Sequence, residues 1–521
     1  MKIAPSEESV DAEQPGARAA RAPRLKLWLG LFAAVWVALG TWFLVGPLFG
    51  PTAWRGYYRP VLGVFTYGYD RPILLSLVFY GLALAAWWRG ARVPLRLLVA
   101  GAVGLHLLLL FAPPQQSQDL WQYLFYGRMQ AVHHANPYLV QPAVFWRDPW
   151  YNWSIRWPTQ TTVYGPAWTL LTAGVVALAH ARSIISAFLL YKLVILAMDL
   201  AILRMLVVLA REREAGESGR PGDEGAAGWA VLLFAWNPLV LLTIPLGGLV
   251  DTAVVAGLVG AVLARRRGRL TLTTVLLVLA TLVKLYAGIA LALHLLLLLR
   301  RRGLRRAVTE AGLAGAVTVA LSAVYWDGPQ TFRGVVRVAG MTNKSLLGTI
   351  QNLLEPALRA VGVTAPEGPV TWALRVLAIA VVGAAIVVAA WRVRDDEGLW
   401  HGSALVLAAF AISTPWFLYW YLLAPLALVA ATRRTRLTAP MLTFSGTALF
   451  SLAFPPWLLA QALQAIVRYA PPVLGFVRRW GAPAGPAETA LRLRPDAALP
   501  ADPDGGAVNA DAEEEPEAVA T

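Results

Sequence analysis

The chain lacks cysteine and has few charged residues. The absence of cysteine excludes disulfide bonds and cysteine-ligated metal sites. Charged residues make up 14% of the 521 residues and hydrophobic residues 58%, whereas a soluble protein carries roughly 25% charged residues. A soluble domain of this length is therefore excluded.

Three catalytic motifs and an internal repeat are also missing. The sequence contains no G-x-x-x-x-G-K-[ST] motif, which excludes an ATP-driven pump of that class. No G-x-G-x-x-G motif opens a helix after a strand, which argues against a Rossmann domain for a nucleotide sugar. No H-E-x-x-H motif occurs, and the adjacent pair His133-His134 is unsuited to a shared metal ion. The sequence therefore indicates no metal and no cofactor.

Apolar stretches of 16 to 28 residues recur along most of the chain. Each is about long enough to cross a hydrocarbon core roughly 30 Å thick, and in lipid such stretches must be helical to satisfy their backbone groups. The sequence predicts an all-α, polytopic transmembrane protein with about 13 spanning helices. They are predicted at 26–46, 72–88, 97–112, 183–210, 229–246, 250–264, 270–285, 286–300, 307–325, 371–391, 400–415, 417–432 and 438–454, with a further stretch at 458–477 interrupted by Arg468 and Pro471-Pro472.

The net charge of +15 comes from arginine clusters between the apolar stretches. Such clusters are typical of cytoplasmic anchors and not of nucleic-acid binding, so the predicted partner is the lipid bilayer. The clusters fall on one side only if residues 164–180 form an interfacial helix and do not span the membrane. They are Arg18 to Lys26, Arg89 to Arg96, Arg265 to Arg269, Arg300 to Arg306 and Arg433-Arg434.

The same pattern predicts the domain organisation. Residues 1–25 form a disordered cytoplasmic N-terminus, residues 26–480 the membrane domain, and the acidic residues 481–521 a disordered tail. Two long segments, 113–182 and 326–370, face the outside, and the first carries five tryptophans between Trp121 and Trp157.

Asp119 is the foremost catalytic candidate, because it lies just beyond the third predicted helix on the outer face. A carboxylate there could act as a general base toward an acceptor hydroxyl. It could equally cap a juxtamembrane helix, and the two roles do not exclude each other.

Aromatic and polar residues follow Asp119 through the first outer segment. Tryptophan and tyrosine faces with a few polar groups suit a sugar, but they are also typical of the aromatic belt at any membrane interface. Proline and glycine fix turns between them. The motifs are Tyr126-Gly127-Arg128, Ala135-Asn136-Pro137-Tyr138, Arg147-Asp148-Pro149-Trp150 and Tyr164-Gly165-Pro166.

A second set of charged residues, Arg182, Asp251 and Lys284, is predicted at the outer ends of helices. The two cations could hold a phosphate by charge-assisted hydrogen bonds, or they could snorkel from a helix end. Lys192 and Asp199 lie deeper, seven residues apart on one helix face, and predict a structural ion pair, either within the helix or with another helix. An enzyme without a nucleotide fold that acts at the outer face needs a donor delivered in the membrane, and a lipid-linked phospho-sugar meets that need.

Together these motifs resemble the membrane-embedded glycosyltransferases of the GT-C fold. Within them the chain resembles most the polyprenol-phosphate-mannose-dependent α-1,6-mannosyltransferases of the actinobacterial type. The resemblance covers about residues 110–430. It rests on Asp119, Tyr123, Gly127-Arg128, Asn136-Pro137-Tyr138, Tyr164-Gly165-Pro166-Ala167-Trp168, Trp236-Asn237-Pro238-Leu239, Gly247-Gly248-Leu249-Val250-Asp251, Val283-Lys284-Leu285-Tyr286 and Pro415-Trp416-Phe417-Leu418-Tyr419-Trp420.

The resemblance implies inverting transfer of a sugar, mannose in that family, from a polyprenyl-phosphate donor to a glycan or glycolipid acceptor. The reaction would take place on the outer side of the bacterial plasma membrane, without a metal. Asp119 matches the family's base. The predicted donor- and acceptor-binding residues are Arg128, Asn136, Tyr138, Tyr164, Arg182, Asp251, Lys284, Trp416 and Tyr419. The chain departs from the family pattern in having two helices more ahead of the first outer segment.

Two other functions stay open. A secondary transporter or a flippase for lipid-linked sugars would have inverted repeats and broken helices near the midplane. A polymerase or ligase of the O-antigen type would depend on arginines in the outer segments. The candidate arginines for that alternative are Arg128, Arg147, Arg156, Arg333 and Arg337.

Overall fold

The structure is a computed structural model of the chain. It describes residues 15–45, 65–112, 114, 117, 119–153, 157–180, 183–218, 225–342, 345–432, 435–451 and 458–481. Most of the predicted acidic tail therefore lies outside the described residues, as do Arg156, Arg182 and Arg433-Arg434. The first helix begins at Pro15, inside the segment predicted to be disordered.

Regular structure in the described part of the chain is helical, without a β-strand, which confirms the all-α, polytopic prediction. The α-helices are α1 Pro15–Val45, α2 Phe65–Trp88, α3 Leu95–Leu110, α4 Asp119–Ala131, α5 Pro166–Leu178, α6 Ile184–Ser218, α7 Gly225–Phe234, α8 Pro238–Leu241, α9 Asp251–Arg266, α10 Leu270–Val283, α11 Gly288–Ser322, α12 Arg333–Ala339, α13 Leu346–Ala360, α14 Glu367–Arg392, α15 Asp396–Ser413, α16 Leu423–Ala431, α17 Thr438–Phe450 and α18 Leu458–Gly481. Helix α18 continues through Pro471 and Pro472, which were expected to interrupt it.

By length and apolar composition, four helices in the described residues can each cross a membrane, and a bent pair makes a fifth. Several further apolar helices have 10 to 17 residues. These criteria leave the predicted number of about 13 spans unconfirmed. The four long helices are Pro23–Thr41, Ile184–Ala215, Leu285–Tyr325 and Glu367–Arg392, and the bent pair is Gly225–Phe234 with Pro238–Leu246, at 52°.

Helix α11 reverses direction at Gly303. This glycine has φ 81° and ψ 174°, outside the helical region. Leu291 and Leu321 lie on either side of it and pack on the same small apolar cluster around Leu282. A straight helix would hold these two leucines about 45 Å apart, so the chain must fold back. The sequence prediction of two helices, 286–300 and 307–325, agrees with this reversal.

Helix α5 occupies most of the segment predicted to lie in the outer interface. Its 13 residues reach only about 20 Å, less than a hydrocarbon core. The helix starts beside the end of α10, where the Gly165 N–H donates to the Val283 carbonyl at 2.9 Å. A single short helix of this length fits the interfacial prediction.

Arginine side chains gather at one end of the bundle, which we call the arginine-rich end. There Arg267 pairs with Glu212 at 2.8 Å and Arg265 with Asp396 at 2.6 Å, and Arg301 donates to the Arg394 carbonyl at 2.5 Å. Contacts between residues so far apart in the chain show that the ends of α6, α9 and α14 lie on this side, together with the reversal of α11 near Gly303. Two of the five predicted clusters, Arg265 to Arg269 and Arg300 to Arg306, thus lie on one side.

The centre of the bundle is formed by helices with no exposed face. Residues 227–234 of α7 and the whole of α16 are buried, and α9 packs between α10, α6 and α16. Helices that are apolar all round are expected in the interior of a membrane protein. Asp251, the first residue of α9, is thus placed at the heart of the bundle, at the end opposite Arg265.

Candidate active site

Helix α4 supplies one wall of a cavity at the end of the bundle opposite the arginine-rich end. It begins at Asp119, whose backbone N–H donates to the Ser117 hydroxyl at 3.1 Å. A carboxylate in the first helical turn is favoured by the helix dipole. Asp119, Gln122 and Tyr126 share one face, because residues three and four apart are neighbours on a helix, and all three line the cavity.

The cavity has a volume of about 150 Å³. Its lining combines a carboxylate, an ammonium group, two glutamine amides and a set of aromatic rings. The lining residues are Ser117, Asp119, Gln122, Tyr126, Trp157, Gln160, Val163, Tyr164, Lys284, Val338, Met341, Trp416, Leu418, Trp420 and Tyr421. Of the residues predicted from the sequence, Asp119, Tyr164, Lys284 and Trp416 therefore meet in one place.

Lys284 is held in the cavity wall by a buried carboxylate. Helix α10 ends at Val283, and Lys284 follows in an extended conformation (φ −146°, ψ 125°). Its Nζ lies 2.7 Å from Asp251 Oδ2 and 5.1 Å from the centre of the Tyr421 ring. The Tyr286 hydroxyl donates to the other oxygen, Oδ1, at 2.6 Å. The ammonium group is thus fixed in position beside the cavity.

Asp251 itself is fully buried and is not among the cavity-lining residues. It was predicted to bind donor or acceptor, but in the structure it lies behind Lys284 and accepts hydrogen bonds from Lys284 and Tyr286. Its place in the structure is that of a partner that orients the cation.

The Gly247-Gly248 turn precedes Asp251 and packs closely against the helix that begins at Asp119. Gly248 adopts φ +60°, and a Cβ atom there would come within 2.8 Å of Leu120 Cδ1. Only glycine fits this left-handed conformation without strain. The turn therefore needs glycine for two reasons, its backbone angle and its close approach to the residue after Asp119.

Two side chains of α6 fix the same turn. The Tyr191 hydroxyl donates to the Gly248 carbonyl at 2.5 Å. Lys192 is fully buried and donates to the Pro245 carbonyl and, at 3.1 Å, to the Leu246 carbonyl. Those carbonyls lie in a π-helical turn, Leu242–Leu246, where a proline removes a backbone donor.

The predicted ion pair is wrong in its intrahelical form, because Lys192 and Asp199 do not pair with each other, whereas Asp199 has an interhelical partner in His106 of α3. Asp199 instead accepts a hydrogen bond from His106 Nδ1 at 2.5 Å, and His106 Nε2 lies 2.9 Å from the Ala235 carbonyl. Seven residues along a helix correspond to about 10 Å, too far for direct pairing when each side chain has a nearer partner on another helix. The two groups bind different neighbours of α6.

Asn136 and Tyr138 hold the first outer segment together. The Asn136 side chain accepts the Tyr138 N–H at 3.0 Å and donates to the Tyr325 carbonyl at 3.0 Å. The Tyr138 hydroxyl donates to the Tyr164 carbonyl at 2.7 Å. Neither residue is part of the cavity lining, so they support the wall that Tyr164 presents.

Arg128 belongs to a separate cluster in the same segment. Its Nε lies 2.8 Å from Asp148 Oδ2, and its guanidinium carbon lies 4.4 Å above the Trp150 ring. His133 approaches the same oxygen at 2.8 Å. Burial raises the pKa of Asp148, but hydrogen bonds from the Trp150 N–H, Arg128 and His133 outweigh it, so the pKa is lowered. Arg128 thus stabilises the segment away from the cavity.

The aromatic residues near 416–421 differ in their access to the cavity. Trp416, Trp420 and Tyr421 line it, and Trp416 meets Trp157 at 6.3 Å between ring centres. Tyr419, which was predicted to bind ligand, packs edge-on against Trp420 at 4.9 Å and is not a lining residue. The predicted helix 417–432 begins instead with a 3₁₀ turn, Tyr419–Leu422. The geometry of this turn determines which of the rings face the cavity.

Gln122 and Gln160 also line the cavity, although neither was predicted from the sequence. For Gln122 a signal existed, since it lies one helical turn after Asp119. Gln160 lies outside regular structure, and no spacing rule would have found it. In the residues that the structure describes, no group of three or more His, Cys, Asp or Glu side chains could hold a metal ion.

Comparison with known proteins gives two matches. The family model described as "Alpha-(1->6)-mannopyranosyltransferase, N-terminal domain" matches residues 27–300. Alpha-(1->6)-mannopyranosyltransferase A of Mycobacterium tuberculosis is 29% identical over 348 residues, which cover 63% of this chain and 64% of the relative. The match thus spans less than two thirds of the relative's length. Asp119 and Lys284 lie within the family match, and the aromatic wall near Trp416 lies beyond it.

Proposed function

Because the chain belongs to the alpha-(1->6)-mannopyranosyltransferase family, we propose that it is a membrane mannosyltransferase. The donor is a polyprenyl-phosphate mannose, and the acceptor is a glycan or glycolipid. Transfer occurs in the cavity between α4 and Lys284. Such a donor needs no nucleotide-binding domain, in keeping with the absence of nucleotide-binding motifs from the sequence.

The reaction is a single displacement. Asp119 takes the proton of an acceptor hydroxyl, and the hydroxyl oxygen forms a bond to the anomeric carbon from the face opposite the phosphate. The bond between that carbon and the phosphate oxygen breaks, so the polyprenyl phosphate leaves with the electron pair and the anomeric configuration inverts. A positioned general base contributes about 10²–10⁴-fold to such a step.

Lys284 stabilises the phosphate as it leaves. An ammonium group has three N–H donors, and Asp251 takes one of them at 2.7 Å, so the others can bind phosphate oxygens in the cavity. Because Asp251 and Tyr421 hold the ammonium group in place, little reorganisation is needed as charge develops. Arg182, predicted for the same role, lies outside the described residues and remains a prediction.

The observation that carries this proposal is the meeting of Asp119 and Lys284 in one cavity. A base for the acceptor and a cation for the leaving phosphate are the two charged groups that the displacement requires. Trp157, Trp416 and Trp420 surround them, and their ring faces suit the C–H faces of a sugar.

The cavity lies at the end of the bundle opposite the arginine-rich end. Arginine clusters mark the cytoplasmic side of membrane proteins. The proposed site therefore faces outward from the bacterial plasma membrane, where a lipid-linked donor and an envelope glycan can meet.

A transporter accounts less well for the interior of the bundle. The broken pair Gly225–Phe234 and Pro238–Leu246 matches one feature of that alternative. However, Lys192, His106 and Asp199 near it are buried and bonded within the protein, and none lines the cavity. Charges that serve transport face a pathway. A polymerase or ligase would need arginines at the site, whereas no arginine is among the described residues that line the cavity, and Arg128 is paired with Asp148.

The test is transfer of radiolabelled mannose from polyprenyl-phosphate mannose to an alkyl α-mannoside by the purified protein in nanodiscs. The Asp119→Asn variant should lose about 1,000-fold or more in rate, within the range of general-base catalysis, while it folds and binds donor like the wild type. Asp327→Asn serves as the matched control, because Asp327 is exposed and outside the cavity. Near-normal turnover by Asp119→Asn would refute the assignment of the base. Absence of transfer by folded wild type would refute the proposed donor or acceptor.

A further inference from the structure

Gln122 is a buried glutamine in the cavity wall. It is 3% exposed and lies one helical turn beyond Asp119 on the same face of α4. Neither its amide nitrogen nor its amide oxygen has a hydrogen-bond partner among the described residues. Because both atoms lack a partner, this observation holds whichever way the amide is turned.

The Tyr126 hydroxyl is the neighbouring polar group, because Tyr126 follows Gln122 by one helical turn on the same face of α4 and also lines the cavity. That hydroxyl already donates its proton to the Gln160 carbonyl at 2.6 Å. It therefore has no proton left for the Gln122 amide oxygen. The oxygen is left as a buried acceptor that faces the cavity without a donor.

Gln160 presents a second such acceptor. Its side-chain nitrogen donates to the Thr161 carbonyl at 2.9 Å and to the Gly334 carbonyl at 3.3 Å. Its side-chain oxygen is buried and has no partner among the residues that the structure describes. Gln160 is 6% exposed and also lines the cavity, so its oxygen is fixed in orientation by the bonds of its nitrogen.

A buried amide without partners is costly, so such groups are expected to bind something. The group that complements them is neutral and can both donate and accept, which describes a hydroxyl. The oxygens of a phosphodiester can only accept hydrogen bonds. They would therefore be repelled by the side-chain oxygens of Gln122 and Gln160, which are acceptors too. Three residues along α4 advance about 4.5 Å, a distance within one hexose ring, so a sugar whose one hydroxyl faces Asp119 can place another at Gln122.

We propose that the Gln122 amide, with the side-chain oxygen of Gln160, binds a second hydroxyl of the acceptor sugar and so selects the sugar that Asp119 deprotonates. This inference rests on the proposed transferase function and assigns two residues to its acceptor subsite. The subsite is a specificity determinant, since a site built to bind a hydroxyl discriminates against the analogue that lacks it.

The test combines deoxygenated substrates with a variant that cannot form the bond. A series of α-mannosides, each lacking one hydroxyl, is compared as acceptors for wild type and Gln122→Met, which keeps the side-chain volume and removes both polar atoms. For one position the wild type should lose about 10- to 100-fold in kcat/KM, the cost of an unpaired buried group. The kcat/KM of Gln122→Met with the full acceptor should be lower than that of the wild type by a similar factor. With that deoxy acceptor, the kcat/KM of Gln122→Met should fall little further.

Gln464→Met is the matched control, because Gln464 is also buried but donates to the Ser451 carbonyl and lies outside the cavity lining. Its discrimination among the deoxy acceptors should equal that of the wild type. The proposal is overturned if folded Gln122→Met retains the full discrimination at every position. It is also overturned if only deoxygenation of the donor mannose is coupled to Gln122, since the hydroxyl would then belong to the donor.

A binding measurement separates this inference from the transferase proposal. Tryptophan fluorescence of the cavity can report binding of the mannoside series without turnover, since Trp157, Trp416 and Trp420 line it. If the wild type transfers no mannose but Gln122→Met weakens mannoside binding about 10-fold or more, the hydroxyl subsite is supported and the proposed reaction is wrong. Equal binding by both proteins would overturn the subsite.

Discussion

Two sets of buried polar residues lie in this bundle, and they differ in how completely the protein satisfies them. In the first set, His106 binds Asp199 and the Ala235 carbonyl, and Lys192 donates to the Leu246 carbonyl. Around the cavity, Gln122 and Gln160 keep polar atoms without partners among the described residues, and Lys284 faces the cavity with donors to spare. Since polar groups inside a membrane protein are expensive, the first set is accounted for by structure, whereas the unpartnered atoms of the second set line a cavity and are available to a ligand.

The largest effect on transfer is expected at the pair formed by Lys284 and Asp251. Lys284→Met should lower mannosyl transfer about 10²–10³-fold, as expected for loss of one group that stabilises developing charge, and should leave Asp251 buried without its cation. The double variant with Asp251→Leu removes that buried charge, but it should not recover transfer. Initial rates per folded molecule measure both.

The double variant also supplies the contrary outcome. If Lys284→Met with Asp251→Leu regains the wild-type rate, the pair is structural and the phosphate is bound elsewhere. Thermal unfolding midpoints of the same proteins show whether a change in rate is caused by a change in stability.

The His106–Asp199 pair should behave in the opposite way. Asp199→Leu leaves His106 buried without its partner and should cost about 3–5 kcal/mol of stability, as for other broken buried pairs. With His106→Leu added, most of that loss should be recovered, because an apolar replacement of the whole pair is often neutral. Unfolding midpoints in one detergent give the comparison.

Mannosyl transfer per folded molecule should stay close to wild type in that double variant, because neither residue lines the cavity. A large loss of transfer with normal folding would show that this set also serves the reaction, and the distinction between the two sets would fail.

Gly248 lies between the two sets, since Lys192 donates to the carbonyls of Pro245 and Leu246 just before it, and a Cβ atom on Gly248 would meet Leu120, the residue after Asp119. Gly248→Ala should destabilise the fold by about 1 kcal/mol from its positive φ and should lower transfer further by displacing Asp119. Gly328→Ala is matched in backbone angle, at φ +66° against +60°, but a Cβ there meets nothing within 4 Å. Comparable transfer by the two variants would show that contact with Leu120 does not position the site.

The smallest expected effect concerns Asp148, which lies outside the membrane-spanning helices. Its pKa is lowered in the folded protein from the ordinary value of 3.8, so the carboxylate stabilises the fold above that value, and this stabilisation is lost as the pH falls through the lowered pKa. The unfolding midpoint of wild type should exceed that of Asp148→Asn between pH 7 and 5, and the difference should shrink below about pH 4. A difference that is constant down to pH 3 would contradict this.

Much of the fold could be predicted because hydropathy and charge are properties of contiguous residues. The helix ends agree closely with the sequence at 270–285, where the structure has Leu270–Val283, and the reversal at Gly303 coincides with a predicted gap. Short helices outside the apolar stretches, such as Arg333–Ala339, were not predicted. Their few residues carry no periodic signal, and contacts with the rest of the protein stabilise them.

The candidate site was predicted in part. Asp119 and Lys284 were selected since a charge beside an apolar helix is conspicuous in any sequence. The sequence was sufficient to predict a helical membrane protein with its arginines at one end and these two charges at the other. This is because the cost of placing charge and backbone groups in lipid acts on each segment separately. The pairing of Asp251 with Lys284, and the binding of Lys192 to the carbonyls of residues 245 and 246, could be seen only in the tertiary structure. It likewise left the Gln122 amide to the cavity, because such partners are set by how distant helices are rotated and packed against one another.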